Sequence, residues 1–386
     1  MKKKGIRFLL FWALALAALC LAVPVQAAKV INNGTDTLQY GKYIYYLDGN
    51  NNIYRIGTDN KGKKKLGTTD VYPRQLYILG NKLYFGRKGK VYATPLNKNS
   101  AKAVVSGTLL GAYGNRIFYL DGKGNVYAIT TDKKEKKFLF TLTPSGEITS
   151  AGTSGKVLIL NCEANAASTH VVYVDMSNVT WQVLTKETRA SAYENRPRVE
   201  DFVVKNNTLY YASGYFGGTG YFFNGNLKKI SLTGEGETTI AKNIGSENSF
   251  ISVNFDCLLY ENGGYLYYSD NSGAKKYKFS NGKISSAAGN GFFTSAGKYV
   301  YYAETKKKTV TVYRFSLNGS SAKGKKVASF KVKDNCTYSV SKASQAGKYV
   351  VLRFDKRTFG GRWQGDYQGT DVYKMKTDGK GLKKIG

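Results

Sequence analysis

Histidine is almost absent from this chain: His170 is the single copy among 386 residues. The usual general base of serine and cysteine hydrolases, and the commonest zinc ligand, are thus confined to one position. Cysteine is nearly as scarce, with four copies, wide spacings and no Cys-x-x-Cys pair, which argues against a zinc site or a disulfide framework. Cys162, Cys257 and Cys336 each lie in a strand-like run and read as small buried thiols. There are only five prolines and no Pro- or Ser-rich stretch, so no linker divides the chain. Acid is short as well: 26 Asp and Glu stand against 58 Lys and Arg, a formal charge of +32. The Gly-x-Ser-x-Gly elbow of hydrolases and the Ser-x-Asp-x-Gly-x-Thr-Trp box of sialidases are both missing. Nothing beyond residue 27 repeats its apolar residues with the period of about 3.6 that a helix requires.

The one long apolar run, Phe8 to Val23, follows the basic start "MKKKGIR" and precedes Val25-Gln26-Ala27. That order is the pattern of a secretory signal, expected to be removed after residue 27. The run is short for a membrane anchor and leads into Pro24. Cys20 follows Ala17-Ala18-Leu19, where a lipid-attachment site would need a small residue in place of Leu19. The expected mature chain, 28–386, is a single domain with a charge of about +28.

What is abundant is tyrosine, at 31 copies, and glycine, at 43, and they recur together. "GKYIYYLDGNNNIYRI" (41–56) returns as "GNRIFYLDGKGNVYAI" (114–129). A turn residue placed five before the end of an apolar pair occurs at Gly41, Gly80, Gly114, Gly155, Asn206, Gly263, Gly297 and Gly347. The pairs are Tyr45-Tyr46, Tyr84-Phe85, Phe118-Tyr119, Ile159-Leu160, Tyr210-Tyr211, Tyr267-Tyr268, Tyr301-Tyr302 and Val351-Leu352. Successive copies lie 34 to 57 residues apart, room for four short strands, which in the second unit fall at "QLYILG", "KLYFGR", "KVYATPL" and "KAVVSG". These spacings predict an all-β fold, a β-propeller of four-stranded antiparallel blades. Eight blades are expected; the degenerate fourth and eighth copies leave seven or six open. Because each blade packs on both sides, its middle strands need not alternate, and the tyrosine tips should reach turn backbones or blade edges.

Tyr45-Tyr46-Leu47-Asp48, Phe118-Tyr119-Leu120-Asp121 and Tyr267-Tyr268-Ser269-Asp270 resemble the Tyr-Trp-Thr-Asp motif of lipoprotein-receptor propellers. They are closer still to the bacterial secreted propellers of unknown function named after those receptors, which carry Tyr-Tyr-x-Asp followed by Ile-Tyr-Arg. Tyr stands here where the receptor motif has Trp, and the receptor propellers have six blades. The resemblance implies binding and no known chemistry.

Two motifs imitate other functions. Gly57 to Lys63 has P-loop spacing, but Lys64 stands where Ser or Thr should hold magnesium and no helix pattern follows, so a hairpin turn is expected. Asp48-Gly49-Asn50-Asn51-Asn52 imitates a calcium loop, yet Ile53 replaces the required glycine and no glutamate closes it. No metal and no cofactor is expected.

In a propeller, turns joining the first two and the last two strands of each blade share one face of the disc. Lys63, Lys64 and Lys65, Lys133, Lys134, Lys136 and Lys137, Lys325 and Lys326, and Lys383 and Lys384 fall at the turns before the last strands. They should gather on one face as a positive field for polyanions; a merely soluble lysine surface that blunts the outer strands is the competing reading. Long Gly- and aromatic-rich connections fall on the opposite face, at 185–201, 214–226 and 356–370. Their candidate contacts are Tyr215, Phe216, Tyr221, Arg357, Phe359, Arg362, Trp363 and Tyr367, with Arg189, Arg196 and Arg198 as anion clamps; long hairpins packed on themselves are the alternative. The expectation is an exported, monomeric, non-catalytic binding module for an anionic wall polymer, a glycan or a protein, without sequence-specific nucleic-acid recognition. The rival is a carbohydrate-active propeller whose acids come from Glu194, Glu200, Asp201 or Asp366.

Overall fold

The computed structural model describes residues 34–386, except 71–74, 143–145, 166–167, 189–195, 217–221, 245–258, 271, 289–293, 320–322, 334 and 359–364. The signal segment and Cys257 therefore lie outside the described residues. Every regular element among the described residues is a β-strand, and no helix there is long and apolar enough to cross a membrane. The strands follow in chain order as six four-stranded sheets and one eight-stranded sheet, antiparallel throughout. The large sheet holds two units of four, joined by the single pair Ile244↔Asp270. The eight units, blades 1 to 8, span 37–68, 77–106, 108–141, 147–188, 196–244, 260–286, 295–331 and 336–384. Strands within a blade are a to d in chain order, and the a strands of blades 2 and 3, 3 and 4, 4 and 5, 7 and 8, and 8 and 1 touch one another near the axis. The four strands expected in blade 2 are present at Tyr77–Leu79, Lys82–Arg87, Lys90–Pro95 and Lys102–Ser106.

The doubled apolar pair has a simple cause. Successive side chains of a strand point to opposite faces, so the two members serve different neighbours. Tyr45 packs toward blade 2 with Leu83 and Phe85, whereas Tyr46 packs toward blade 8 with Tyr349, Val351 and Ile385. Ile159 faces blade 5 and Leu160 faces blade 3; Val351 faces blade 1 and Leu352 faces blade 7. Each of the eight seams carries its own apolar cluster, and the one between blades 8 and 1 closes the ring. Blades 4 and 8, degenerate in sequence, are complete sheets with strands of up to nine and eleven residues.

Turn chemistry repeats just as closely. The eight turn residues adopt the left-handed backbone that glycine tolerates best, with φ between 49° at Asn206 and 61° at Gly114. Asp48, Asp121 and Asp270, the acids after the aromatic pairs, accept the backbone N–H of Asn50, Lys123 and Ser272, which caps the b–c hairpins. Asp48 also takes the Asn52 N–H at 2.9 Å, so the calcium-like stretch is a satisfied hairpin. The P-loop-like stretch is one too: Asp59 accepts the Lys61 N–H at 2.9 Å, and Asn60 and Gly62 have φ of 70° and 65°. Tyrosine tips reach backbone at the seams, as Tyr46 Oη does at Ile385 O (2.6 Å) and Tyr260 Oη at Gly297 O (2.9 Å). Cys162 and Cys336 are buried thiols, and burial pushes Cys162 up to about 12.

Candidate functional site

One hydrogen bond, repeated eight times, fixes which turns share a face. At the start of each c–d turn a backbone N–H donates to the carbonyl of the a–b turn. Thr58 donates to Lys42, Leu96 to Asn81, Thr131 to Asn115, Met176 to Lys156, Leu232 to Asn207, Phe279 to Gly264, Leu317 to Lys298 and Thr377 to Lys348, at 2.8 to 3.2 Å. Both turn sets therefore lie on one side of the disc, and the b–c hairpins and blade crossings lie on the other.

Lys63, Lys64 and Lys65 of blade 1, Lys133, Lys134, Lys136 and Lys137 of blade 3, Lys325 and Lys326 of blade 7 and Lys383 and Lys384 of blade 8 are all exposed on the turn face. They form an arc and not a full circle. The c–d turn of blade 4 carries Ser177 and Asn178, and that of blade 5 carries Glu235 and Glu237. A second, inner set escaped sequence reasoning: Lys42, Lys82, Arg116, Lys156, Lys205, Lys298 and Lys348 stand at the a–b turns of seven blades. The signal was present, since each lies within two residues of the repeated turn residue.

Acids divide this inner set into three paired members and four, Lys82 included, with no carboxylate within 4 Å among the described residues. Arg116 pairs with Glu135 at 3.4 Å, Lys156 with Asp175 at 3.2 Å and Lys205 with Glu261 at 3.1 Å. In blades 7, 8 and 1, Lys298, Lys348 and Lys42 have no carboxylate within 4 Å among the described residues, and lie 5.4 to 5.8 Å from the rings of Tyr299, Tyr349 and Tyr43. The other cation on each of these rings comes from strand c: Arg55 over Tyr43 at 4.3 Å, Arg314 over Tyr299 at 4.0 Å and Lys374 over Tyr349 at 4.9 Å. That second cation staples the seam. Arg55 donates to Leu96 O at 3.0 Å, Arg314 to Thr377 O at 2.5 Å, and Lys374 to Gly57 O and Thr58 O at 3.1 and 3.0 Å. Burial lowers the pKa of Lys374, whose partners are carbonyls. The strand-c basic residue is thus committed to the scaffold, while the turn lysines remain available.

Between blades 7 and 8 the turn face folds into an open groove of about 520 Å³, lined by Arg314, Lys325, Lys326, Asp378, Gly379, Lys380 and Gly381 among others. Asp378 is occupied there, accepting the Lys380 N–H at 2.9 Å.

The long connections lie on the opposite face, and the structure places Tyr215, Phe216, Arg357 and Tyr367 on strands where loops were expected. Tyr215 and Phe216 end strand b of blade 5, opposite Pro197 and Arg196 of strand a, which also holds Arg198 and Glu200. Gly-rich composition concealed these ladders, because backbone pairing continues where the side chains carry no pattern. Arg357 and Tyr367 face each other across blade 8, with the guanidinium 6.0 Å from the ring, as in a hairpin packed on itself. Tyr367 remains 52% exposed and hydrogen-bonds Thr370, which donates to Asp355. Tyr221, Phe359, Arg362, Trp363, Arg189 and Glu194 lie outside the described residues. Asp201 accepts the N–H groups of Phe202 and Leu259 at 2.8 and 2.9 Å, and Asp366 is exposed at the hairpin base. His170 is half-buried in strand c of blade 4, where burial and then Lys186 lower its pKa.

The first described residues bridge the inner strands of blades 2 and 4. Gly34 donates to Leu76 O and Leu76 to Thr35 O, both at 2.9 Å, and a Cβ on Gly34 would stand 2.2 Å from Thr153 Oγ1 of blade 4. Gln75 spans blades 2 and 4 by donating to Ala151 O at 2.7 Å. Asp36 then meets blade 8, lying 3.3 Å from Arg353 and 3.2 Å from Lys342.

No known protein family and no curated protein sequence matches the chain. Solved structures do. Dihydro-heme d1 dehydrogenase NirN in complex with DHE is 11% identical over 95% of this chain and 75% of its own, with a TM-score of 0.53. The computationally designed Ika8 protein is 10% identical over 90% and 98%, with a TM-score of 0.48. BamB from Moraxella catarrhalis is 10% identical over 86% and 92%, with a TM-score of 0.43. The likeness to NirN agrees with the sheet topology, and at this identity it shows the propeller fold alone.

Proposed function

We propose that this protein is an exported, non-catalytic propeller of the cell envelope or the extracellular space, related to the bacterial secreted propellers with Tyr-Tyr-x-Asp blades. It binds an anionic envelope polymer over its turn face. The reading is carried by one observation: the lysine clusters of blades 1, 3, 7 and 8, far apart in sequence, share a face with the inner set of turn lysines. A rigid disc pays little ordering entropy on binding, and its clustered charge concentrates a polyanion at the surface. Lysine-dominated contacts report charge and not sequence, so a flexible polymer suits this face better than a specific nucleic-acid site. The test is retention of the full chain on purified cell wall, with and without its phosphate polymers, at low and high salt. Retention should require the phosphate polymers and fall as salt rises. Equal retention under all four conditions overturns the reading.

A further inference from the structure

We propose that the groove between blades 7 and 8 is the principal anion subsite of the turn face, and that it takes a phosphodiester-linked polymer. This rests on the preceding reading and goes further in naming the place and the ligand chemistry. The lysine clusters of blades 1 and 3 stand on single blades, whereas Lys325 and Lys326 of blade 7 and Lys380 of blade 8 line one concavity of about 520 Å³. None of these three ammonium groups has a carboxylate within 4 Å among the described residues, and the groove's one acid, Asp378, is turned into its own hairpin. The two blades can approach this closely because of Gly379, φ 92°, where a Cβ would lie 3.0 Å from Val327 Cβ.

The available cations are of one kind. Arg314 also lines the groove, yet its Nη1 is held by Thr377 O and its plane lies 4.0 Å over Tyr299. The planar fork that grips carboxylates and phosphates alike in two-pronged fashion is therefore engaged, and the available charges are lysine ammonium groups. These act as point charges, well suited to a tetrahedral phosphodiester whose charge is spread over two oxygens. The lysine-rich sector continues past the groove, through Lys348 in blade 8 to Lys42 and Lys63 to Lys65 in blade 1, with Asp59 as the exposed acid of that last turn. It ends toward blades 3 to 5, where Glu135, Asp175 and Glu261 neutralise the inner set. A chain seated in the groove has a net positive track on one side, where lysines outnumber Asp59 and Asp378.

Two triple variants of the full chain remove equal charge: K325Q/K326Q/K380Q in the groove and K133Q/K134Q/K136Q on blade 3. Affinity is measured for poly(glycerol phosphate) and for hyaluronate, whose charges are carboxylates. The groove variant should lose about tenfold or more for poly(glycerol phosphate), the scale of a lost charge-assisted contact, and the blade 3 variant less than about threefold. Both variants replace exposed side chains, and unchanged circular dichroism and melting confirm that the comparison reports binding. Equal losses in the two variants overturn the assignment of the groove. Hyaluronate binding as tight as that of poly(glycerol phosphate) overturns the phosphodiester assignment. If the parent protein binds neither polymer, the polyanion reading itself fails, an outcome distinct from the other two.

Discussion

Replacing Asp36 with asparagine should loosen the ring where its two ends meet. Among the described residues blade 8 is built wholly from C-terminal strands, with a d strand of only Lys383–Lys384, and no N-terminal strand is woven into it. Closure depends on the apolar seam around Tyr46, Tyr349 and Val351 and on a polar clasp. In the clasp Asp36, with a side chain 10% exposed, faces Arg353 (12%) and Lys342 (33%). Burial alone would raise the Asp36 pKa, but Lys342 and Arg353 more than offset it and hold the carboxyl far below its ordinary value of 3.8. Removing one member of a buried ion pair costs about 3 to 5 kcal/mol. Lys342 can turn to water, so the lower end applies, about 3 kcal/mol for D36N. Urea unfolding followed by circular dichroism measures this, and a cycle with R353M isolates the pair, with a coupling of at least about 1 kcal/mol expected. The pH dependence has a definite sign. Since the folded pKa is depressed, the stability Asp36 contributes is whole above its unfolded value near 3.8 and drains as pH falls through that value toward the folded one. The gap between the parent protein and D36N should therefore be constant at pH 5 and above and shrink at lower pH. A cost below about 0.5 kcal/mol, or additive single effects, would refute the clasp.

Gly114→Ala places a side chain at φ 61° in open space, so it should cost about 1 kcal/mol through backbone strain alone, whereas Asn206→Gly at φ 49° should be neutral or stabilising in the same melt. Cys162, buried and with its thiol pushed up to about 12, should resist a thiol-specific reagent at neutral pH until the protein is unfolded; mass spectrometry showing rapid native labelling at this residue would contradict its burial.

The sequence made legible what each blade repeats for itself. The turn residue, the apolar pair and the hairpin acid recur because every blade solves the same local problem, and even Asn206, standing where the others have glycine, adopts the same backbone. What escaped reading depends on the neighbouring blade. Arg55 looks like one exposed cation in "IYRI", and only the seam shows its guanidinium against Leu96 O. Asp36 precedes the first repeat, with partners more than 300 residues away, so no local pattern marks it. The long hairpins of blades 5 and 8 read as loops because glycine and polar residues replace the apolar alternation there, although the ladder runs on to Phe216 and Thr358.

The distribution of lysine separates the two explanations of the charge. Outer strands expose unpaired backbone groups, and lysines at their ends, such as Lys64, Lys136, Lys325 and Lys383, are a recognised means of blocking edge-to-edge association. That account predicts basic residues wherever an outer strand begins, and it is silent about the a–b turns. Strand b pairs on both sides and strand a is the inner edge of its sheet, turned toward the axis, so Lys42, Lys298 and Lys348 guard no outer edge. They also have no carboxylate within 4 Å among the described residues, whereas their counterparts in blades 3, 4 and 5 are neutralised by Glu135, Asp175 and Glu261. Repulsion among like charges on one surface works against folding, so an unneutralised sector is a standing cost. Edge protection does not call for that cost, whereas the anionic partner proposed above would offset it.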